Sequence, residues 1–248
     1  MEFHEFGNPA APAVLETHGM MQRWQSMYAQ LQPLEEHYRL IFIAMDGFYD
    51  GSRDFTTFAD QAEQIEAYVQ SRYGGRLHGA YGASQGGLML TEVLTRGRIA
   101  IDNVIMDGCY VAHQGALSGW VTYWMFRRYA RTGRFPAPIH VMMRLMGQKL
   151  GDIRPFLKDY LYTSASDVSL RRNFLQNYTY RVRQELAGWQ TPVHLWCGSR
   201  EPYAIKSHRE LKRYLPNYTE EIMDGLAHGE LLMKQPAALC AKIRETLA

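Results

Sequence analysis

The chain has 248 residues, of which 46% are apolar, 21% are charged and 12% are aromatic, and its formal net charge is +2. This composition is typical of a globular protein with a sizeable core, and it excludes a disordered or collagen-like chain. The length fits a single α/β domain, and no stretch of the sequence approaches the roughly 20 apolar residues that are needed to span a bilayer.

Short apolar runs recur along the chain and predict buried strands. Turn residues flank them, and they lack a strict alternation of polar and apolar residues, as is typical of strands that are covered on both faces. The predicted strands are residues 13–17, 40–45, 77–81, 103–106 and 193–197, with residues 218–223 as a weaker candidate.

Amphipathic patterns between these runs predict helices. Apolar stripes at helical spacing occur in residues 24–34, 58–69 and 239–247. An alternation of strands and helices indicates an α/β fold with a mostly parallel central sheet flanked by helices. Right-handed crossovers between parallel strands then place helices on both faces of the sheet.

Residues 110–189 interrupt this alternation, because they contain no convincing strand. The segment is rich in Trp, Tyr, Met and Arg, and residues 110–190 carry 12 Lys+Arg against 4 Asp+Glu. We predict a helical insertion here, with residues 1–109 and 190–248 forming the core domain. Two roles stay open for its large apolar residues: they line an apolar pocket, or most of them form the small core of the insertion itself, which we favour. The residues concerned are Tyr110, Trp120, Tyr123, Trp124, Phe126, Met142, Met143 and Met146.

The basic excess of the insertion has several interpretations. An excess of positive charge attracts anionic substrates by electrostatic steering, but it also occurs on solvated faces and at contacts with a second subunit. We favour a solvated or interfacial role, so a homodimer stays an open alternative; the arginines concerned are Arg127, Arg128, Arg131 and Arg134. The sequence lacks the aromatic-basic modules of nucleic-acid-binding proteins, so no nucleic-acid partner is expected.

The sharpest motif is Gly82-Ala83-Ser84-Gln85-Gly86, which lies between a predicted strand and a helical run. A G-x-S-x-G pattern in a strand–turn–helix context is typical of a nucleophile elbow. So tight a turn strains the backbone of the nucleophile and leaves no room for a Cβ two residues away. The hydroxyl then stands at the N-terminus of a helix, where developing negative charge is stabilised. We therefore predict that Ser84 is a nucleophile. The alternative, a phosphate-binding loop, is disfavoured because the run lacks the lysine and the spacing of a P-loop.

A serine hydroxyl needs a base to act as a nucleophile at neutral pH. In this kind of fold the acid and then the histidine follow the nucleophile along the chain. His228 lies in a glycine-flanked loop after the last predicted strand, whereas His208 lies in a helical run that we predict to be solvated surface. His228 is therefore the predicted base.

The acid should follow the penultimate strand and hold the imidazole in the right tautomer. Glu201 is the only carboxylate directly after residues 193–197, so it is the predicted acid. Asp107, at the end of the preceding strand, is the alternative acid. Asp224 is a weaker alternative because it is close to His228 in the chain.

Acyl transfer also needs an oxyanion hole, which is built from backbone N–H donors. One predicted donor is the N–H of Gln85, directly after the nucleophile, and the second should come from the loop after an early strand. Thr17-His18-Gly19-Met20 is that loop, and we predict the Met20 N–H as the second donor. His18 is expected to shape this turn rather than to act as a base or metal ligand.

Taken together, these motifs resemble the α/β-hydrolase superfamily, in particular its serine esterase and lipase-like members. The matching pieces are His18-Gly19 and residues 82–87, 198–201 and 225–228. The resemblance covers about residues 10–108 and 190–247. It implies a Ser-His-acid triad, no cofactor or metal, and a helical cap at residues 110–189. The N-terminal antiparallel strands that are usual in the family are expected to be shortened or missing, because the chain begins close to its first clear strand.

The sequence therefore predicts a serine hydrolase that acts on a small carboxylic ester, or on a thioester or lactone, through an acyl-enzyme. Two alternatives stay open. The same triad supports carbon–carbon bond hydrolysis or a lyase reaction, and the same fold supports a ligand-binding or regulatory module with little turnover.

The cysteines and the start of the chain bear on its location. Cys109, Cys197 and Cys240 are an odd set without metal-ligand spacing, so we predict reduced thiols. The acidic and aromatic start of the sequence is unlike a signal peptide. These features predict a cytoplasmic protein. The substrate expected from the predicted catalytic residues is a small-molecule acyl compound.

Overall fold

The computed structural model describes residues 1–145 and 148–248 of the chain. Its strands are β1 (Glu2–Phe6), β2 (Ala13–Thr17), β3 (Arg39–Ala44), β4 (Arg76–Ala83), β5 (Ala100–Asp107), β6 (Val193–Gly198) and β7 (Tyr218–Met223). They form one sheet in the order β1-β3-β2-β4-β5-β6-β7. Every neighbouring pair is parallel except β1 and β3. The prediction of an α/β fold with a mostly parallel sheet is confirmed.

Helices cover both faces of the sheet, and the apolar stripes predicted from the sequence lie in α1, α2 and α10. The helices are α1 (Gln25–Leu31), α2 (Phe58–Tyr73), α3 (Gln85–Arg96), α4 (Ala116–Thr132), α5 (Ile139–Leu145), α6 (Leu150–Tyr160), α7 (Asp167–Thr179), α8 (Pro202–Leu211), α9 (Glu230–Lys234) and α10 (Pro236–Leu247), with short 3₁₀ helices at Gln32–Glu36 and Gln184–Gly188. Within the described residues, no helix has the length and apolar character needed to cross a membrane.

The structure contains one N-terminal antiparallel strand, β1, whereas the sequence predicted that the one or two such strands usual in the family would be shortened or missing. All of β1 pairs antiparallel with β3, from Glu2 beside Ala44 to Phe6 beside Leu40. Its aromatic residues hold it in place on both faces. The ring of Phe3 stacks on Tyr68 at 3.7 Å between centroids, and Phe6 packs on the other face of the sheet. The acidic residues between these rings obscured the strand in the sequence.

The segment 110–189 is helical, and it is tied to the core near the loop that follows β2. It contains α4 to α7 and the second 3₁₀ helix, all between β5 and β6. The Tyr162 N–H donates to the Met21 carbonyl at 2.7 Å, and the Arg23 N–H donates to the Tyr160 carbonyl at 2.9 Å. These bonds fix the end of α6 beside the loop from which an oxyanion donor was predicted.

Strand β2 holds a buried carboxyl group without a hydrogen-bond partner in the described residues. Glu16 of β2 is 1% exposed, and neither of its oxygens has a hydrogen-bond partner in the described residues. Burial raises the pKa of Glu16 well above its usual value, because the low-polarity surroundings disfavour the carboxylate. The folded chain therefore favours the neutral acid.

We expect Glu16→Gln to stabilise the fold increasingly as the pH rises. The folded pKa lies above the unfolded one, so the wild type loses stability as the pH climbs from the unfolded pKa towards the folded pKa. In that window the variant's gain in free energy of unfolding grows by about 1.4 kcal/mol per pH unit. Urea unfolding at about pH 4, 6 and 8 measures it. Glu36→Gln, at an exposed carboxylate, is the matched control. A gain that does not change with pH would contradict the prediction.

Candidate active site

Ser84 lies in a strained turn between β4 and α3. Its backbone has φ 56° and ψ −115°, a conformation that residues with a side chain rarely adopt. The neighbouring glycines permit the turn. A Cβ on Gly86 would lie 1.9 Å from the Thr17 carbonyl oxygen, and a Cβ on Gly82 would lie 2.7 Å from the Gly86 backbone. The close approach of β2 therefore requires glycine at position 86, and the tightness of the turn requires it at position 82.

His228 is within hydrogen-bond distance of the Ser84 hydroxyl. It lies in the loop between β7 and α9, and its Nε2 is 3.0 Å from the Ser84 Oγ. The Tyr110 ring stacks on the imidazole at 4.6 Å between centroids, and the Gln148 Nε2 donates to the His228 carbonyl oxygen. These contacts restrict the orientation of the ring, so that Nε2 faces the serine.

Glu201 completes a chain of three hydrogen-bonded side chains. Its Oε2 is 2.7 Å from the His228 Nδ1, and its Oε1 accepts the Gly198 N–H at 2.6 Å. The carboxylate is 2% exposed. Because it accepts only, the His228 Nδ1 must carry the proton, which leaves Nε2 free to accept the proton of the Ser84 hydroxyl.

The other two candidate acids have hydrogen-bond partners other than His228. Asp107 is buried, and its Oδ2 accepts the Tyr81 hydroxyl at 2.8 Å. Burial and the negative charge of Glu201 raise the pKa of Asp107 to about 7. Asp224 is exposed and accepts the Ser199 hydroxyl at 3.2 Å. In the described part of the chain, neither carboxylate is hydrogen-bonded to His228.

The loop after β2 presents backbone donors to the same cavity as Ser84. Met20 and Gln85 both line this cavity, and their N–H groups donate to no acceptor among residues 1–145 and 148–248. His18 is buried beside them, and its Nδ1 is 2.9 Å from the Gly19 carbonyl oxygen. Burial lowers the pKa of His18 to about 4, so its ring is neutral at pH 7. His18 does not line the cavity, which is consistent with the predicted role in shaping the turn.

A cavity of about 600 Å³ opens on Ser84 and His228. Its wall is mainly apolar and comes largely from α4, α5 and α6. Of the predicted linings, Tyr110, Phe126, Met142 and Met143 contribute to the wall. Trp120, Tyr123 and Trp124 do not line the cavity, although Leu117, Val121, Thr122, Met125 and Phe126 of the same helix do. The predicted lining residue Met146 lies outside the described residues.

Buried amides form a polar contact that the sequence did not reveal. The Gln85 side chain donates to the Asn173 Oδ1 at 2.8 Å and to the Asn177 Oδ1 at 3.4 Å, both on α7. Gln148 is a further buried amide of the cavity, and its Oε1 has no partner in the described residues. No local pattern distinguishes these amides, because their partners are up to 92 residues away in the chain.

His208 contradicts the expectation of a solvated surface residue. Its side chain is 0% exposed, and its Nδ1 is 3.1 Å from the Glu220 carboxylate on β7. The polar residues around it suggested an exposed run, but position 208 falls on the inner stripe of α8 with Ala204 and Leu211. Among residues 1–145 and 148–248, no cluster of three or more His, Cys, Asp or Glu side chains could hold a metal ion.

The four arginines on and just after α4 differ in their surroundings. Arg127 and Arg131 form ion pairs with Asp167 at 2.7 and 2.9 Å. Arg128 and Arg134 are exposed, and neither forms an ion pair within the described residues. Two of the four predicted surface arginines therefore help to join α4 to α7, and the other two face solvent.

Comparison with known proteins agrees with the fold. The chain matches the model of the alpha/beta hydrolase family over residues 17–242. An alpha/beta hydrolase family protein from Desulfitobacterium hafniense superimposes with a TM-score of 0.83 at 21% identity, covering 100% of each chain. MenH from S. aureus gives 0.77 at 12% identity, covering 99% of this chain and 97% of its own. A thermophilic esterase from Thermogutta terrifontis gives 0.74 at 18%, covering 98% and 91%. No curated protein matches the chain.

Proposed function

The chain belongs to the alpha/beta hydrolase family, and from that premise we propose that it is a serine hydrolase that cleaves a small carboxylic ester. The observation that carries the proposal is the hydrogen-bonded series Ser84–His228–Glu201, with heavy-atom distances of 3.0 and 2.7 Å. A serine is activated as a nucleophile by such a base, and the base is oriented by such a carboxylate. Esterases among the structural neighbours agree with this reaction class.

The proposed reaction begins with proton transfer from the Ser84 Oγ to the His228 Nε2 while the oxygen attacks the ester carbonyl. Glu201 accepts a hydrogen bond from the Nδ1–H throughout and stabilises the imidazolium. The N–H groups of Met20 and Gln85, which have no other acceptor in the described chain, bind the oxyanion of the tetrahedral intermediate. The Nε2–H then protonates the departing alcohol, leaving an acyl group on Ser84.

Water then releases the acyl group: water is the nucleophile of this second half, and the Ser84 oxygen is the leaving group. The His228 Nε2 takes a proton from water, the hydroxide oxygen attacks the acyl carbon, and the Ser84 oxygen leaves with the proton from Nε2. A carboxylic acid and the free enzyme result. A thioester or lactone would follow the same path, since each presents a carbonyl carbon and a leaving group that needs a proton.

We further propose that residues 110–189 act as a cap over a core formed by residues 1–109 and 190–248. Side chains of this segment form most of the apolar wall above Ser84. A wall rich in methionine, such as Met125, Met142 and Met143, adapts to flexible apolar groups. The acyl part of the substrate is therefore placed in this cavity. The cytoplasmic location and a homodimer stay predictions.

A fluorophosphonate probe tests the proposal directly, because it reacts only with an activated serine. We expect one covalent adduct on the wild type by intact mass, and none on Ser84→Ala. Ser118→Ala is the matched control, since Ser118 lines the same cavity but its Oγ donates to the Gln114 carbonyl at 3.1 Å. Absence of an adduct on the folded wild type would contradict the proposal and favour a ligand-binding module.

A further inference from the structure

Five large apolar side chains are exposed together on α4 and α5. We define the α4–α5 patch as the residues Leu117, Trp120, Val121, Trp124 and Val141, whose side chains are 46% to 79% exposed. The four residues on α4 follow the spacing i, i+3, i+4, i+7, so they form one stripe along the helix. Exposed apolar side chains that occur singly need no explanation, but a contiguous group of this size marks a contact surface.

The patch is continuous with the cavity that opens on Ser84. Leu117, Val121 and Val141 contribute both to the patch and to the wall of the cavity. Trp120 and Trp124 extend the apolar surface outwards from that opening. A partner that covered the patch would therefore lie directly at the entrance to the site.

The chain segment that carries the patch is basic. The 44 residues from 108 to 151 contain six Lys+Arg and no Asp or Glu. Arg128 extends the α4 stripe one turn beyond Trp124, and Arg144 lies one turn beyond Val141 on α5. Both are exposed, and neither has an ion-pair partner in the described part of the chain. The partner should accordingly carry negative charge beside an apolar surface.

We propose that the α4–α5 patch docks the protein on an anionic lipid surface. Indole rings favour the boundary between headgroups and acyl chains, and apolar residues enter that boundary. Arginines beside them attract anionic headgroups. A second copy of the chain fits less well, because a two-fold contact through this patch would oppose Arg128 and Arg144 to the same arginines of the partner. Docking would bring an acyl ester from the lipid phase to the cavity entrance, a consequence that rests on the proposed function.

Sedimentation with lipid vesicles tests the docking. The wild type should bind vesicles that contain phosphatidylglycerol and bind pure phosphatidylcholine vesicles weakly. Replacing both Trp120 and Trp124 by Ser should lower the partition constant at least about tenfold, and the exposed Ile222→Ser on β7 is the matched control. The double variant Arg128→Gln, Arg144→Gln should lower it about 25-fold, at about fivefold for each arginine. Arg209→Gln, on the exposed side of α8, is its control.

Docking and catalysis are separated by their readouts. Neither tryptophan lines the cavity, so the tryptophan variant should hydrolyse a soluble ester at the wild-type rate and lose activity only on vesicle-embedded ester. Vesicle binding by Ser84→Ala reports docking even if the proposed function fails. Docking would be overturned by absent binding or by equal binding to both vesicle types. A concentration-dependent dimer that the tryptophan variant abolishes would also overturn it, in favour of a second copy.

Discussion

Ser84→Ala is expected to lower kcat for a simple aryl ester about 10⁴- to 10⁶-fold while the chain remains folded. The loss is large because the Ser84 oxygen forms the covalent bond, and His228 has no other nucleophile within hydrogen-bond distance in the described residues. The residual rate should approach what binding and the oxyanion donors alone provide. Alanine has the same backbone strain as serine at φ 56°, so the melting temperature should stay close to that of the wild type.

The measurement is steady-state turnover together with thermal unfolding of both proteins. Ser71→Ala, an exposed serine on α2 whose hydroxyl bonds only to the Tyr68 carbonyl, is the matched control and should leave turnover unchanged. Turnover of the Ser84→Ala protein at the wild-type level would remove Ser84 from the reaction. A collapse of the melting temperature would instead assign Ser84 a role in folding the turn.

Much of the fold could be predicted because its strongest determinants are local. Apolar runs identified β2 to β6, most of whose side chains are buried. The edge strand β7 was a weaker candidate, because its exposed residues include Thr219, Glu220 and Glu221. Chain order then placed Ser84, Glu201 and His228 after β4, β6 and β7, whose carboxyl ends lie at one edge of a parallel sheet. The hydrogen bonds of His228 to Glu201 and to Ser84 could therefore be predicted, although the partners are 27 and 144 residues apart in the chain.

The features that were missed depend on what packs against them. The strand β1 is stabilised by aromatic partners from other elements, such as Tyr68, rather than by an apolar run of its own. His208 lies on the buried stripe of α8, and its Nδ1 is 3.1 Å from the carboxylate of Glu220 on β7. Trp120 and Trp124 belong to the same helix as the cavity residues Met125 and Phe126, and only the contact of α4 with the core decides which side faces inwards.

The sequence alone did not decide between the two candidate acids, Asp107 and Glu201. Asp107 ends β5, and Glu201 follows β6, the neighbouring parallel strand. Both carboxylates therefore come to the same edge of the sheet, within reach of one histidine loop. The structure separates them by their partners: the Asp107 Oδ2 accepts the Tyr81 hydroxyl, and the Glu201 Oε2 faces the His228 Nδ1.

Glu201→Gln should therefore lower kcat about 10⁴-fold at neutral pH, and Asp107→Asn less than about tenfold. The amide that this first substitution introduces keeps an oxygen for the Gly198 N–H, but its nitrogen then faces the His228 Nδ1. An N–H in that position forces Nδ1 to accept, so the ring proton moves to Nε2 and the base can no longer take the proton from Ser84. Asp107→Asn keeps an acceptor for the Tyr81 hydroxyl and leaves the imidazole in its active tautomer. The measurement is kcat of both variants and of the wild type under the same conditions. A larger loss of kcat in Asp107→Asn than in Glu201→Gln would assign the catalytic acid to Asp107 on β5.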